Sequence, residues 1–549
     1  MKAKNLFSVL ALSAGAAVLA GQANAANIDV TSDITVSETW TNDNVYNLTT
    51  QIYVLPGASL TIEPGTVIAS SPTMTGAGAL AVTRGAQIFV NGTVTDPVIF
   101  TTTNDVATWD VDGSHPTGRN PKTGTWREAA NEWGALAIMG NALISDSLDP
   151  DNDALPNGTN ETNLEGLVAS GPSDTRVLYG GNDDDDDSGS VTYVSLRYGG
   201  RVIGLGDELN ALSLAGVGRE TEISYVDIMN NVDDGIEIFG GTVNISHFNI
   251  WNVGDDSLDI DQGYRGKIQF GLIVQGYSVD ASQGSGVGDN AIEIDGAEDS
   301  DAQPVTTTSI YNLTVIGQPI DGDGLTAWRD NARVQYRNCI FMDGGEALIR
   351  ADNVDGDGSQ GYGFNGTHSF ADVFTTSFDT YPSVNQGDVD TLAEKQALYP
   401  VQVDGNLAEI SDSVFARMNT AGSAFTNSDA RGVTANNGVG VQPNDNVYAG
   451  DTTLPITTLT RESVVSKGGL QMLRVSFIDP TPVGDAATSV GSAPNDEFFV
   501  AANYRGAFAP ASKGLTPARV WIRGWTAIDA YDGVVAGPAT AVDAWQVFE

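Results

Sequence analysis

A short pattern of apolar and polar residues recurs along the middle of the chain. Each copy has Asn, Asp or Glu at its first position, a small residue at its second, and Leu or Ile at its third. Successive copies start 24, 22, 34, 33 and 23 residues apart, so three intervals share one short period. Such a period is typical of one coil of a parallel β-helix. The copies lie at 210–214, 234–238, 256–260, 290–294, 323–327 and 346–350.

Alternation within each copy predicts a strand. In the second copy Ile236 and Ile238 should face the core while Glu237 faces outward. Apolar runs before the copies predict a second strand in each coil, at 225–228, 247–250, 270–274 and 312–316. Similar runs at 58–62, 78–82, 86–90 and 133–138 place the start of the helix near residue 50, with a polar insertion at 104–131. The predicted fold class is all-β, a right-handed parallel β-helix with loop insertions and a C-terminal β-rich region.

The predicted division of the chain has four parts. Residues 1–25 have the layout of a cleavable export signal, with Lys2 and Lys4, an apolar run at 6–20, and cleavage before Ala26. The other parts are an N-terminal β region with the first coils at 26–189, the β-helix core at 190–360, and a β-rich region at 361–549. We therefore expect a secreted protein.

Composition narrows the possible partners. The chain has 26 Lys and Arg against 70 Asp and Glu, a formal net charge of −44, which argues against nucleic acid as a partner. Beyond the signal no apolar run is long enough for a membrane-spanning helix, so we expect no membrane insertion. Cys339 is the only cysteine, and its apolar neighbours predict a buried thiol.

Acidic residues crowd the stretch that contains the repeats. Strands of neighbouring coils lie about 4.8 Å apart, so carboxylates in register would repel each other or share a cation. Ca²⁺ suits such a site because it accepts six to eight oxygen ligands in flexible geometry. The alternative is that Asn and Asp at the first position bond the turn backbone, which we favour for Asn210 and Asn290. Turn bonding explains one acid per turn and not two, so doubled acids favour calcium. The candidate ligands here are Asp233, Asp234, Asp255, Asp256 and Asp259.

A second acidic run is a weaker candidate. Asp183, Asp185 and Asp187 lie in an unbroken run of five aspartates. The alternative is a solvated loop, which such charge runs commonly form.

Some residues near the acidic repeats have the types found in enzyme active sites. Gly254, Asp255 and Asp256, with Arg265 and Lys267 nearby, superficially resemble pieces of a polygalacturonase site. None of the three histidines lies between two glycines, as that site also requires. A calcium-dependent lyase with Arg265 or Lys267 as base remains open. We assign no catalytic residue, and we expect His247, Trp521 and Trp525 to be packing residues.

Longer strings resemble a known family. Residues 231–244 and 255–270, with 504–508 and 521–525, resemble surface-layer proteins of marine gammaproteobacteria of the Pseudoalteromonas type, within a large family of exported proteins. The resemblance covers essentially the whole chain. It implies a calcium-dependent, two-dimensional crystalline array on the outer cell surface that is also shed into biofilm matrix and vesicles.

The predicted function follows from both lines of reasoning. We expect a non-enzymatic, self-assembling surface-layer protein whose partners are other copies of itself and an outer-surface polysaccharide or lipopolysaccharide. The alternative is a calcium-dependent polysaccharide-binding protein or polysaccharide lyase.

Overall fold

Parallel strands stack in successive coils along most of the described chain. The structure is a computed structural model. It describes residues 26–72, 78–148, 160–200, 202–204, 207–276, 288–297, 303–322, 324–345, 348–351, 373–377, 397–402, 404–418, 445–467, 470–489, 491–513 and 520–535. The predicted export signal, and Asp323 and Glu346 of the last two repeat copies, lie outside the described residues.

The larger sheet has 17 strands, and nearly all its pairings join equivalent positions of neighbouring coils in parallel. The stack begins earlier than predicted, because the short first strand already pairs in parallel with the third, Ile28 opposite Tyr46. The strands are β1 Asn27–Val30, β2 Glu38–Trp40, β3 Val45–Leu48, β5 Ser59–Ile62, β6 Val67–Ser70, β8 Gln87–Asn91, β9 Val98–Thr102, β13 Gly189–Arg197, β17 Glu222–Met229, β19 Asn244–Trp251, β21 Lys267–Val274, β23 Thr307–Ile316, β25 Arg333–Arg337, β26 Ile340–Met342, β28 Glu409–Ser411, β29 Val414–Ala416 and β30 Val447–Gly450.

A second parallel sheet of nine strands carries all six repeat copies. Its strands are β4 Gln51–Val54, β7 Ala79–Val82, β10 Leu136–Met139, β16 Leu212–Ala215, β18 Ile236–Phe239, β20 Leu258–Asp261, β22 Ile292–Asp295, β24 Thr326–Arg329 and β27 Ile349–Ala351. The predicted all-β parallel β-helix is confirmed. We call this nine-stranded layer the repeat sheet.

The long strands of the larger sheet bend where one residue takes a positive φ. Tyr225 has φ 55° and His247 has φ 56°, and the ladder between β17 and β19 skips this pair. The bend splits each long strand into two faces, so a full coil has three strand segments. The same bend recurs at Tyr193, Phe270 and Asn312.

The core lies inside the coils. Ile236 and Ile238 are fully buried there, as the alternation predicts, and the equivalent apolar residues of other coils pack above and below them. Cys339 is also fully buried in this core. Burial raises the pKa of its thiol to about 12, so the thiol stays protonated.

Further short elements decorate the coils. The helices are α1 Thr103–Val106 and α2 Ala527–Ala530, with 3-10 turns at Thr175–Val177, Gly484–Ala487 and Ala511–Lys513. The antiparallel pairs are β11 Glu161–Asn163 with β12 Leu178–Gly180, β14 Val202–Gly204 with β15 Asp207–Glu208, β31 Ile456–Arg461 with β34 Val475–Pro482, and β32 Val465–Lys467 with β33 Leu470–Met472. None of the helices in the described part of the chain has the length and apolar character that a membrane-spanning helix needs.

Coil stacking continues past residue 360, where the sequence pattern fades. Strand β28 pairs in parallel with β25, and β30 pairs in parallel with β29. After them the chain returns along the outside of the coils. Trp521 and Trp525 are buried and contact the rings of Tyr225 and His247 edge-on, which confirms them as packing residues.

Candidate metal-binding groove

Parallel register places acidic side chains in a column on the outer face of the repeat sheet. Glu237 lies opposite Asp259, and Asp259 lies opposite Glu293. Alternation points these residues away from the core, because their neighbours in each strand face inward. Beyond Glu293 the column continues with Ala327 and Arg350. Three coils therefore present carboxylates in line, and the column ends on a cation.

The turns before these strands add a second column of side chains. The backbone N–H of Asp234 donates to Oδ1 of Asn210 (3.2 Å), and the N–H of Asp256 donates to Oδ1 of Asp234 (2.8 Å). The N–H of Asn290 donates to Oδ1 of Asp256 (2.5 Å). The turn-bonding role favoured for Asn210 is therefore present, and Asp234 and Asp256 also use one oxygen in this way. The same role favoured for Asn290 is not seen among the described residues, because its side chain instead donates from Nδ2 to Oε2 of Glu293 at 2.8 Å.

Together these two columns line a groove with a volume of about 390 Å³. Asp233, Asp234, Glu237, Asp256 and Glu293 are each less than one-tenth exposed. We call this feature the acidic groove. It is lined by Glu165, Asp233, Asp234, Glu237, Asp255, Asp256, Asp259, Asp289, Glu293, Ala327, Arg329 and Arg350.

Three groups of carboxylates in the acidic groove bring their oxygens within 4.8 Å of one another. The groups overlap, because Asp234 belongs to two of them and Asp255 to two. They are Asp233 with Asp234 and Asp255, Asp234 with Glu237 and Asp259, and Asp255 with Asp256 and Asp289. All five of the predicted ligands between residues 233 and 259 therefore lie in the same groove.

Burial and mutual repulsion disfavour the charged state of these groups. Desolvation raises the pKa of Asp234, and the carboxylates of Asp233 and Glu237 raise it further. Desolvation and the charge of Glu293 likewise raise the pKa of Asp259 and of Asp256. A bound cation would relieve this repulsion.

Two arginines border the groove where the column of carboxylates ends. The guanidinium of Arg329 donates to Oε1 of Glu293 and lies 3.5 Å from Oδ1 of Asp295. Arg350 lies 3.6 Å from Oδ1 of Asp289. Burial alone would lower the pKa of Arg329, but Asp295 and Glu293 outweigh it, so the guanidinium stays protonated.

The donor set fits a hard divalent cation. Every ligand oxygen in the three groups belongs to a carboxylate, and Ca²⁺ prefers oxygen ligands, whereas zinc and the softer metals favour nitrogen and sulfur. Oδ1 of Asp259 is buried and has no hydrogen-bond partner among the described residues. A buried carboxylate oxygen without a partner is costly, and coordination would satisfy it. The groove could therefore hold one or more metal ions through Asp234, Glu237 and Asp259 and their neighbours.

The comparison with known families is consistent with this architecture. A model described as a pectate-lyase like beta helix domain matches residues 32–123 and 117–413, more than half of the chain. The chain belongs to this family. No curated protein and no solved structure matches it.

In this member of the pectate-lyase-like β-helix family, the second acidic run lies apart from the acidic groove. Asp185 pairs with Arg219 at 2.9 Å, and Asp183 accepts the backbone N–H of Asp185. Asp187 accepts the N–H of Gly189 at 2.8 Å. The described structure brings none of the three into a group of carboxylates close enough to share a metal, so calcium binding there stays a prediction.

The two basic residues considered as lyase bases also lie elsewhere in this family member. Arg265 is fully buried and pairs with Asp184 at 2.6 Å, and Lys267 pairs with Asp496 at 2.7 Å. Neither residue lines the acidic groove. The sequence pattern did not single out the arginines that do line it, Arg329 and Arg350.

A register shift explains why the arginines were missed. In the first four repeat copies the fourth position lies on the outer face of the repeat sheet, as Glu237 does. In the last two copies the fifth position does so, because Ala327 lies opposite Glu293 and Arg350 opposite Ala327. A shift of one residue exchanges the two faces of a strand. The loss of Leu or Ile at the fifth position of these copies was the available signal.

Proposed function

We propose that the protein is a self-assembling surface-layer protein that forms a two-dimensional array on the outer cell surface, contributes to biofilm matrix and is stabilised by calcium. The observation that carries this proposal is the acidic groove, where buried carboxylates from successive coils crowd together. Such a site favours a divalent cation, and it ties the stability of the coil stack to calcium. The resemblance of the whole chain to surface-layer proteins supports the layer itself.

The proposed mechanism has two parts. Within a subunit, calcium in the acidic groove would neutralise repulsion between neighbouring coils and so stiffen the stack. Between subunits, calcium would screen a formal net charge of −44 that otherwise opposes close packing. Repeated heterologous contacts in a plane would then extend into an array. The predicted export signal supports a location outside the cell, and a surface polysaccharide or lipopolysaccharide would anchor the layer.

A second candidate is a calcium-dependent polysaccharide-binding protein or lyase. Family membership favours it, as does the placement of Arg329 and Arg350 beside the carboxylates of the groove. Calcium and arginine together would bind an anionic polysaccharide that the groove alone repels. Proton abstraction by Arg329 is disfavoured, since Asp295 and Glu293 hold its guanidinium in the protonated form.

Electron microscopy of the purified mature chain distinguishes the two candidates. We expect monomers in chelator and ordered sheets after addition of millimolar calcium, with magnesium at equal ionic strength as the control. A variant with Asp233, Asp234, Asp255 and Asp256 all changed to Asn should form sheets only weakly. Monomers in calcium, together with release of unsaturated sugars from an anionic polysaccharide, would favour the lyase. Loss of that release in Arg329→Gln would place the chemistry in the groove.

A further inference from the structure

A second groove lies on the outer face of the larger sheet. Its volume is about 540 Å³, within the range of roughly 300 to 1,000 Å³ that is usual for ligand sites. It shares no lining residue with the acidic groove. We call it the side groove. It is lined by Asp185, Arg219, Glu220, Thr221, Glu222, Ile223, Ser224, Asn244, Ser246, Glu497 and Phe498.

Polar side chains from two successive coils form the floor of the side groove. Glu222 lies opposite Asn244, and Ser224 lies opposite Ser246. Asn244 is held in place because its Oδ1 accepts the backbone N–H of Lys267 at 2.9 Å. The floor therefore presents a carboxylate, an amide and two hydroxyls in a two-by-two grid, in which neighbouring strands are about 4.8 Å apart. The hydroxyl of Ser224 donates to Oε1 of Glu222 at 3.3 Å, which leaves the other carboxylate oxygen for a ligand.

Phe498 lies beside this floor, and hydrogen bonds anchor the turn that contains it. Oδ1 of Asp496 accepts the backbone N–H groups of Phe498 (2.8 Å) and Phe499 (2.7 Å), and its other oxygen pairs with Lys267. Phe499 is buried, with its ring centroid 4.9 Å from that of Tyr311. Phe498 remains half-buried and is one of the residues that line the groove.

The charges of the side groove select against anions. Asp185, Glu220, Glu222 and Glu497 are all exposed carboxylates. Arg219 is the one cation among the lining residues, and it pairs with Asp185 at 2.9 Å. An anionic ligand would meet net repulsion here, whereas hydroxyl groups would find both acceptors and donors.

We propose that the side groove binds a segment of a neutral polysaccharide. A pyranose ring would lie against Phe498, because sugar C–H groups carry partial positive charge and the face of an aromatic ring is negative. The sugar hydroxyls would donate to Glu222 and exchange hydrogen bonds with Asn244 and Ser246. Binding of the polysaccharide does not depend on the proposed function. Its biological role rests on that function, since the contact would anchor the layer to a surface glycan.

Calorimetric titration in chelator tests the inference on monomeric protein, so the result does not depend on calcium or on assembly. The probes are the neutral hexasaccharides cellohexaose, maltohexaose and mannohexaose. We expect at least one to bind, with affinity about tenfold weaker in Phe498→Ala and about threefold weaker in Glu222→Gln. Val464→Ala, which alters an exposed apolar residue outside the groove, should bind like the unmodified protein.

Two results would overturn the inference. One is that none of the three hexasaccharides binds. The other is that a hexasaccharide binds equally well to the unmodified protein and to Glu222→Gln and Phe498→Ala, which would place its site elsewhere. Glu222 is exposed, so Glu222→Gln should fold normally. This variant therefore reports on binding even if Phe498→Ala does not fold. Array formation with calcium is measured separately and can succeed or fail on its own.

Discussion

Replacement of Asp259 by Asn should have opposite effects on stability with and without calcium. Asp259 lies between Glu237 and Glu293 in the carboxylate column, so it repels a neighbour on each side. It also completes a group of three possible ligands with Asp234 and Glu237. The variant removes the repulsion, and it replaces a charged ligand with a neutral amide oxygen that binds calcium more weakly. We therefore expect higher stability than the unmodified protein in chelator, and lower stability in calcium.

The size of each effect follows from the spacing of the column. Two unit charges about 4.8 Å apart interact with about 3.5 kcal/mol at an effective dielectric constant of about 20. The carboxyls relieve part of this repulsion by taking up protons, so we expect a gain on the order of 1 to 2 kcal/mol in chelator. A ligand at one hundred times its Kd adds about 2.7 kcal/mol to folding, and the variant should lose much of that in calcium.

Urea unfolding followed by tryptophan fluorescence, in chelator and in excess calcium, measures both effects. The control is Asp110→Asn, which removes an exposed carboxylate from the polar insertion outside the groove. It should leave the calcium-dependent gain in stability unchanged. The reasoning is refuted if Asp259→Asn lowers stability in chelator, or if calcium stabilises the variant as much as the unmodified protein.

Three further predictions concern other features of the molecule. In chelator, stability should fall as pH rises above about 4, because the raised pKa values of Asp234, Asp256 and their neighbours let the folded state hold protons that the unfolded state has lost. Urea midpoints at pH 5 and pH 8 test this, and calcium should reduce the difference. Cys339 should resist a thiol reagent until the protein unfolds, since its buried thiol has a pKa of about 12. Gly271→Ala should lower the free energy of unfolding by about 1 to 3 kcal/mol, measured by the same urea titration, because overpacked cores lose about that much and its Cβ would lie 2.1 Å from the ring of Phe248.

The sequence predicted the fold because parallel stacking of coils produces a periodic pattern of apolar residues. Each coil repeats the same pairing, so Ile236 and Ile238 recur as Leu258 and Ile260 one coil later. The same periodic pattern predicted that the acids cluster, since the doubled acids at 233–234 and 255–256 are spaced by one coil. Alternation of apolar and polar residues was sufficient to predict that Glu237 faces outward.

Other features depend on contacts that leave no periodic trace. The pairing of Arg265 with Asp184 joins residues 81 positions apart along the chain, and it fixes part of the acidic run that the sequence offered as a metal site. The arginines of the acidic groove were hidden by a one-residue change of register. The Arg265–Asp184 pairing and the change of register both depend on where the chain re-enters a coil after a loop. The amino-acid composition of the loop does not determine that position.

In-register stacking places equivalent side chains of successive coils in a column. The members of some columns attract one another, and the members of others repel. Tyr193, Tyr225 and His247 stack with ring centroids 4.1 and 4.4 Å apart, and such a column stabilises the coils without help. A column of Glu237, Asp259 and Glu293 repels itself, so it stabilises the coils only with a cation between its members. The column is also bounded, because Ala327 interrupts it and Arg350 reverses its charge. We therefore expect cation binding to concentrate on these three coils, so that calcium raises the stability of this segment more than that of the rest of the stack.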